Sequence, residues 1–312
     1  MDLPAGVSVV IPVYRSASVL PELHRRLTAV LPGLVDRYEI VLIEDAGGDG
    51  SWDVIESLAA QDRHIRGIRM SRNYGQHNAL LCGIRAARYD AIVTMDDDLQ
   101  NPPEEIGKLL ELLGDGVDVV YGTPGTEQHG FLRNQASRIT KIALQGAMSA
   151  ETARSVSAFR AFRTRLREAF ATYAGPFVSI DVLLTWGSTR FAHVRVNHDP
   201  RLAGTSNYTF RMLVTHALNM TTGFSTLPLQ IASLIGFVFT LFGFVVLAVV
   251  LGTYVVNGGS SVPGFAFLAS IIAIFSGAQL FALGIIGEYL ARMHFRSMDR
   301  PAYVVRDVTG DE

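Results

Sequence analysis

The sequence predicts an α/β protein: a mostly parallel sheet with helices on both faces, followed by an interfacial helix and a two-helix transmembrane hairpin. Three observations carry this. Between residues 7 and 121, short apolar runs alternate with helically spaced segments, the pattern of repeated β-α-β units. Polar clusters follow the first, second and fourth runs, which places them on one rim of the sheet, where open α/β sheets keep their ligands. Residues 212–287 contain no Asp, Glu, Lys or Arg, and two apolar stretches there flank a short polar turn.

In order, strands are expected at 7–11, 39–43, 65–70, 91–95 and 117–121, with helices at 19–31, 53–60, 78–87 and 106–113 between them. The runs are short, partly β-branched and end at polar residues, as buried strands do. A helix at 131–148 follows, carrying Arg133, Arg138 and Lys141. Then come a strand at 156–162, helices from Thr164 and near 178–186, and a strand through Phe191, Val194 and Val196. Residues 229–256 and 265–287 are each long enough to cross a hydrocarbon core of roughly 30 Å. The expected division is a catalytic domain at 1–205, a juxtamembrane amphipathic segment at 206–228, the two spans, and a tail at 288–312. The turn between the spans has no Lys or Arg. The flanks carry Arg201 and Arg211 before, and Arg292, Arg296 and Arg300 after. The positive-inside rule then puts the catalytic domain and both termini in the cytoplasm, with the spans in the inner (plasma) membrane.

Composition narrows the function. The 312 residues carry a net charge of −2, so no basic field points to nucleic acid. Mean hydropathy is +0.26, with the excess in the two spans. Cys82 is the single cysteine, which excludes a disulfide framework or a cysteine metal cluster. Residues 1–4 lack a basic leader, so no cleavable signal peptide is expected.

The chemistry centres on Asp96-Asp97-Asp98, directly after the fourth strand. In extended geometry Asp96 and Asp98 point one way and Asp97 the other. Two carboxylates on one side suit Mg²⁺ or Mn²⁺ carrying a phosphate-bearing substrate. A solvated acidic turn leading into the helix near Pro103 is the plainer reading. Glu44 and Asp45 end the second strand and read either as ligand contacts or, with Asp49 and Ser51, as a helix-capping cluster.

Three motifs together resemble a known family: Ser71-Arg72-Asn73-Tyr74-Gly75-Gln76-His77-Asn78-Ala79, Asp98-Leu99-Gln100-Asn101-Pro102-Pro103-Glu104-Glu105-Ile106, and Gly277-Ala278-Gln279 with Gly284-Ile285-Ile286-Gly287-Glu288-Tyr289. The chain resembles family 2 glycosyltransferases of the GT-A fold, and among them the polyprenyl-phosphate glycosyltransferases. These include dolichyl-phosphate mannose synthases and bacteriophage-type undecaprenyl-phosphate glucosyltransferases. The nearest branch transfers 4-deoxy-4-formamido-L-arabinose to undecaprenyl phosphate. The resemblance implies that Pro12 and Tyr14 hold the base and ribose, that Glu44 and Asp45 hydrogen-bond the base, and that Arg72, Asn73, Asp96 and Asp97 complete the nucleotide site. It implies a metal site of Asp96, Asp98 and Gln100, sugar contacts from Gln76 and His77, and an acceptor-phosphate site of Arg133, Ser137, Arg201 and Ser206. Asp98, Asp96 and Arg133 would carry catalysis. Asp97 either braces its loop or adds negative charge near the cation.

Two departures from the family bear on the acceptor site and on a catalytic base. Asn207 stands where the second acceptor motif has a lysine, and Arg154 stands where an Asp usually precedes the Ser157–Phe162 stretch, unless Glu151 substitutes. A phosphomonoester, whose second pKa is about 6, is already ionised near neutrality. A general base is then less necessary than for a hydroxyl acceptor, and positioning with charge stabilisation carries the reaction.

The implied activity is inverting transfer of a sugar from a nucleotide-sugar donor, a UDP-sugar, to polyprenyl phosphate. The partners are that donor, the lipid acceptor and the bilayer, with a homo-oligomer expected because two-span relatives often assemble. Two alternatives stand beside it. A processive polysaccharide synthase shares the fold but carries Gln-x-x-Arg-Trp, which neither Trp52 nor Trp186 completes. A non-catalytic sugar-nucleotide or lipid-phosphate binding component would tolerate the two departures. The identity of the sugar stays open.

Overall fold

The computed structural model describes residues 4–114, 116–124, 155–175, 178–199, 227–256, 265–298 and 300–310. The first half follows the β-α pattern: β1 (Gly6–Val13), α1 (Leu20–Val30), β2 (Arg37–Glu44), α2 (Ser51–Gln61), β3 (Ile65–Met70), α3 (Gln76–Ala86), β4 (Ala91–Thr94), α4 (Ile106–Leu112) and β5 (Val119–Pro124). Then come β6 (Arg160–Arg163), α5 (Ile180–Gly187), β7 (Phe191–Val196), α6 (Leu227–Val256), α7 (Phe265–Ser297) and β8 (Val305–Thr309). The helix expected from Thr164 is a 3-10 helix reaching Phe170.

Among the described residues, eight strands form one sheet in the order β7-β5-β6-β4-β1-β2-β3-β8. β4, β1, β2 and β3 are mutually parallel. β6 runs antiparallel between β4 and β5, and β8 runs antiparallel along the outer edge of β3. The apolar runs are continuous because both faces of the central strands are buried. Val7, Val9, Ile11 and Val13 join the core beneath α1, α2 and α4. Val10, Val41 and Ile43 join the opposite core beneath α3 and α5. α3 lies so close to the sheet that a Cβ on Gly83 would collide with Val10 and Ile43.

Among the described residues two helices are long and apolar enough to cross a membrane: Pro228–Val256 with mean hydropathy 2.9 and Ile274–His294 with 1.4, neither buried by protein. At 1.5 Å per residue, the 30 residues of α6 extend about 45 Å, ample for a roughly 30 Å core. A helix apolar all round needs lipid or protein on every side. Here α6 and α7 cover part of each other, with Phe239 edge-on to Phe275 at 5.5 Å.

The region after the second span differs from a plain tail. α7 continues past residue 287 to Ser297, through a Glu288–Arg292 ion pair of 2.6 Å. The chain then returns to the sheet as β8.

Candidate active site

The loops leaving the carboxyl ends of the strands hold the unusual backbone of the molecule. Among the described residues, the non-glycines with positive φ are Arg15 (57°), Ala46 (51°) and Leu99 (59°). They follow β1, β2 and β4, and Gly75 (90°) follows β3. Left-handed backbone costs an L-residue roughly 1–3 kcal/mol and persists only where surrounding bonds hold it, commonly at functional sites. Those bonds are present. The Arg15 side chain donates to the Gly47 carbonyl at 3.2 Å, linking the first two loops. Asp49 accepts from the Ala17 amide at 3.1 Å and the Ser51 hydroxyl at 2.7 Å. Asp45 accepts from the amides of Tyr74 and Gly75 at 2.7 and 2.8 Å, linking the second loop to the third.

The acidic triplet divides its contacts among three elements. Asp96 accepts from the Gln76 side-chain amide at 2.7 Å, which ties it to the start of α3. Asp97 accepts from the Tyr14 amide at 3.2 Å and so braces the loop after β1. Asp98 accepts from the Gln100 amide at 3.1 Å, folding its own turn around the buried Leu99. Burial pushes the Asp97 carboxyl above its usual range against the pull of Ser16 and the Tyr14 amide, and neighbouring Asp98 adds to the rise. Burial likewise pushes Asp45 up, although two amides oppose it.

The donor set fits a divalent cation that arrives with its substrate. Among the described residues no group of three or more His, Cys, Asp or Glu could hold a metal by itself. Asp96 and Asp98, with the side-chain carbonyl oxygen of Gln100, would supply hard oxygens and would leave further positions for phosphate oxygens and water, which is how Mg²⁺ is ordinarily bound.

The remaining expected residues fall as follows. Pro12 is buried in β1 opposite Ile43, and Tyr14 beyond it is 44% exposed, with the Arg15 guanidinium 5.3 Å from its ring. Arg72 and Asn73 are exposed in the third loop, with the Arg72 guanidinium 4.5 Å over the Tyr74 ring. Glu44 is buried and turned to the protein: it accepts from the Gly47 amide at 2.7 Å and faces Arg69 at 3.4 Å. Gln76, expected on the sugar, meets Asp96. His77 accepts from the Ile180 amide at 3.5 Å, at the start of α5. Arg133, Ser137, Arg201 and Ser206 lie outside the described residues, as do Arg138, Lys141, Glu151, Arg154 and Asn207.

Two groups in the site escaped the sequence reading. Arg160, 1% exposed, forms a buried ion pair with Asp181 and donates to Thr94, the last residue of β4, at 2.9 Å. The Tyr121 hydroxyl donates to the same Asp181 at 3.1 Å. The signal was an arginine inside the apolar Phe159-Arg160-Ala161-Phe162. The second group follows β7. Asn197 bonds Glu105 at 3.0 and 3.1 Å, and the Asp199 amide donates to the Gln100 carbonyl at 2.9 Å, closing the far side of the acidic turn.

Comparison with known proteins agrees with this geometry. The family described as "Glycosyl transferase family 2" matches residues 8–173. The undecaprenyl-phosphate 4-deoxy-4-formamido-L-arabinose transferase of Yersinia pestis (strain Pestoides F) is 34% identical over 308 residues, covering 98% of this chain and 94% of that protein. Its counterpart in Serratia proteamaculans (strain 568) is 33% identical over the same span. Among solved structures, glucosyl-3-phosphoglycerate synthase from Mycobacterium tuberculosis, in complex with Mn²⁺, UDP-glucose and phosphoglyceric acid, superposes with a TM-score of 0.52 at 17% identity, covering 70% of this chain and 78% of that one. That likeness is one of fold, a mostly parallel sheet with a ligand rim. With the family matched across the rim loops and relatives aligned through both apolar helices, the chain belongs to glycosyl transferase family 2 and is a glycosyltransferase.

Proposed function

We propose that the protein transfers a single sugar from a UDP-sugar to undecaprenyl phosphate, or another polyprenyl phosphate, at the cytoplasmic face of the plasma membrane. The observation that carries this reading is the return of the chain from α7 into the ligand rim. Ser71 at the head of the third loop bonds Val304, seven residues after α7 ends at Ser297. Seven extended residues reach at most about 25 Å, so a donor in the rim lies within that reach of the helix end. A lipid phosphate is an acceptor suited to that distance. The names of the Yersinia and Serratia relatives support the same acceptor, and the basic flanks of the hairpin support the orientation.

In this reading Pro12, Tyr14, Glu44, Asp45, Arg72 and Asn73 frame the nucleotide, with Asp97 bracing the Tyr14 loop. Asp96, Asp98 and Gln100 hold Mg²⁺ or Mn²⁺, which when bound supplies Lewis-acid neutralisation of the departing diphosphate. Gln76 orients Asp96, and His77 lines the sugar side. Arg133 and Ser137, with Arg201 and Ser206, hold the acceptor phosphate in line with the anomeric carbon, and residues 206–228 lie at the membrane surface. The ionised phosphate oxygen attacks, the bond to the nucleotide diphosphate breaks, and the configuration inverts.

Purified protein in lipid nanodiscs, given Mn²⁺, undecaprenyl phosphate and a panel of labelled sugar nucleotides, should yield a lipid carrying one sugar. NMR of that product should show the inverted anomer. A ladder of longer products would indicate a processive synthase, and no labelled lipid with any donor would overturn the proposal.

A further inference from the structure

Residues 300–310 lie along the β3 side of the site and touch it at three levels. At the edge, β8 pairs Gly67 with Thr309, Ile68 with Val308, Arg69 with Asp307 and Met70 with Val305, with a register shift between Arg69 and Met70. At the rim, the Ser71 amide donates to the Val304 carbonyl at 2.9 Å, and the Tyr74 hydroxyl also meets the Val304 backbone. Beneath the rim, Ala302 and Tyr303 pack against the core that α3 shares with α5. There the Tyr303 hydroxyl engages Cys82 and Arg85, whose guanidinium lies 5.8 Å from the ring.

The elements held in this way are those that carry one side of the proposed donor site. The 71–75 loop presents Arg72 and Asn73 and gives its Tyr74 and Gly75 amides to Asp45. α3 begins with Gln76, which bonds Asp96. Without residues 300–310, β3 would be an open edge, and the loop would keep its Asp45 tie but lose its outer one. Segments with few fixed contacts open locally at little free-energy cost.

We infer that residues 300–310 are a positioning strap for the donor site: by pinning the 71–75 loop and α3 they hold Arg72 and Gln76 in place, and they couple nucleotide binding to the seating of the membrane hairpin from which they emerge. Tyr303 and Val304 are its positioning residues; neither needs to touch substrate. The inference rests on the donor site proposed above.

The test uses the full-length protein in nanodiscs with Tyr303→Ala, Tyr303→Phe and, as a control on the exposed side of β8, Arg306→Ala. Hydrogen exchange without ligand should show Tyr303→Ala losing about tenfold protection at the amides of residues 71, 74 and 75, with β1 and β4 unchanged. The donor KM should rise by about tenfold while the acceptor KM and kcat stay within about twofold, since an orienting partner is typically worth that much. Tyr303→Phe, which keeps the ring, should recover most of both effects, and Arg306→Ala should match the wild type. Unchanged exchange at 71–75, or equal losses at β1, β4 and both substrates, would overturn the strap. Titration with Mn²⁺ and UDP separates the two readings. A wild type that binds no UDP overturns the donor site, whereas equal UDP affinity in wild type and Tyr303→Ala overturns the strap.

Discussion

At the carboxyl rim of the sheet, the carboxyls of buried Asp45 and half-buried Asp97 stand above their usual range. At the amino rim, Asp62 and Asp118 stand below theirs. Burial disfavours ionisation at all four. The difference lies in what surrounds them. Asp118 accepts from the Ser188 hydroxyl at 2.6 Å and from Arg190 and Arg165 at 2.9 to 3.0 Å. Asp62 accepts from His24 at 3.0 Å and from the ring and amide of His64 at 2.8 and 2.9 Å. Asp45 and Asp97 meet mainly backbone amides and a neighbouring acid. The amino rim neutralises its acids for stability. At the carboxyl rim Asp45 and Asp97 are held mainly by backbone amides and stay raised, whereas Asp49 on the same rim is lowered by the Ser51 hydroxyl and the Ala17 amide. The same residue type is thus held by arginine or histidine at one end of the strands and mainly by neutral donors at the other.

Four substitutions test that contrast, from the largest expected effect to the smallest. Asp98→Ala at the carboxyl rim should lower sugar transfer by about 10²–10³-fold, the scale for removing one preorganised electrostatic group. Its melting temperature should stay near that of the wild type; thermal melts beside lipid-product assays check both. Asp118→Ala at the amino rim should do the reverse. Loss of its charge-assisted hydrogen bonds should cost about 2 kcal/mol in a denaturant titration, with partly exposed arginines limiting the effect, while both KM values hold. Gln76→Ala frees Asp96 from its orienting partner and should weaken Mn²⁺ binding by about tenfold in direct titration.

Asp97→Asn tests the sign of the electrostatics. A carboxyl raised on folding loses stability as pH climbs from its unfolded value, about 3.9, through its folded one. The Asn variant should therefore melt ~2 °C higher than the wild type at pH 7, and the gap should close as pH falls towards 4. Asp62 and Asp118 carry the opposite sign. Their contribution is full above the unfolded value and is lost as pH falls through the folded one. Substituting either should narrow the stability difference between pH 7 and acid.

Much of this site was legible in the chain. β1 to β5 announced themselves because central parallel strands are apolar on both faces, and the acidic turn stood out by following one of them. Gln76, Asp96 and Asp98 could be singled out by type and place, but not the bond that joins Gln76 to Asp96 across 20 residues. Asp97 had two readings, and its bond to the Tyr14 amide favours bracing the loop. Arg160 and Asp181 were missed because each is a charge whose partner is distant in sequence, and only their shared burial makes them a pair. β8 was missed for a different reason. Val305-Arg306-Asp307-Val308-Thr309 is short, charged and half-exposed, as edge strands commonly are, so it lacks the apolar run that marks a central strand.

The sequence by itself determined the alternation of strands and helices, the shared rim, the acidic turn and the two apolar helices. These are local patterns of hydropathy and charge, and each segment carries its own evidence. Tertiary structure alone decided which acids meet cationic side chains and which are held mainly by neutral donors. It also decided that Arg160 sits beside Thr94 at the end of β4 and that the chain beyond the apolar helices returns to bond Ser71. Those features depend on groups far apart in sequence meeting in low-dielectric surroundings, where a partner's presence or absence sets the energy of a charge.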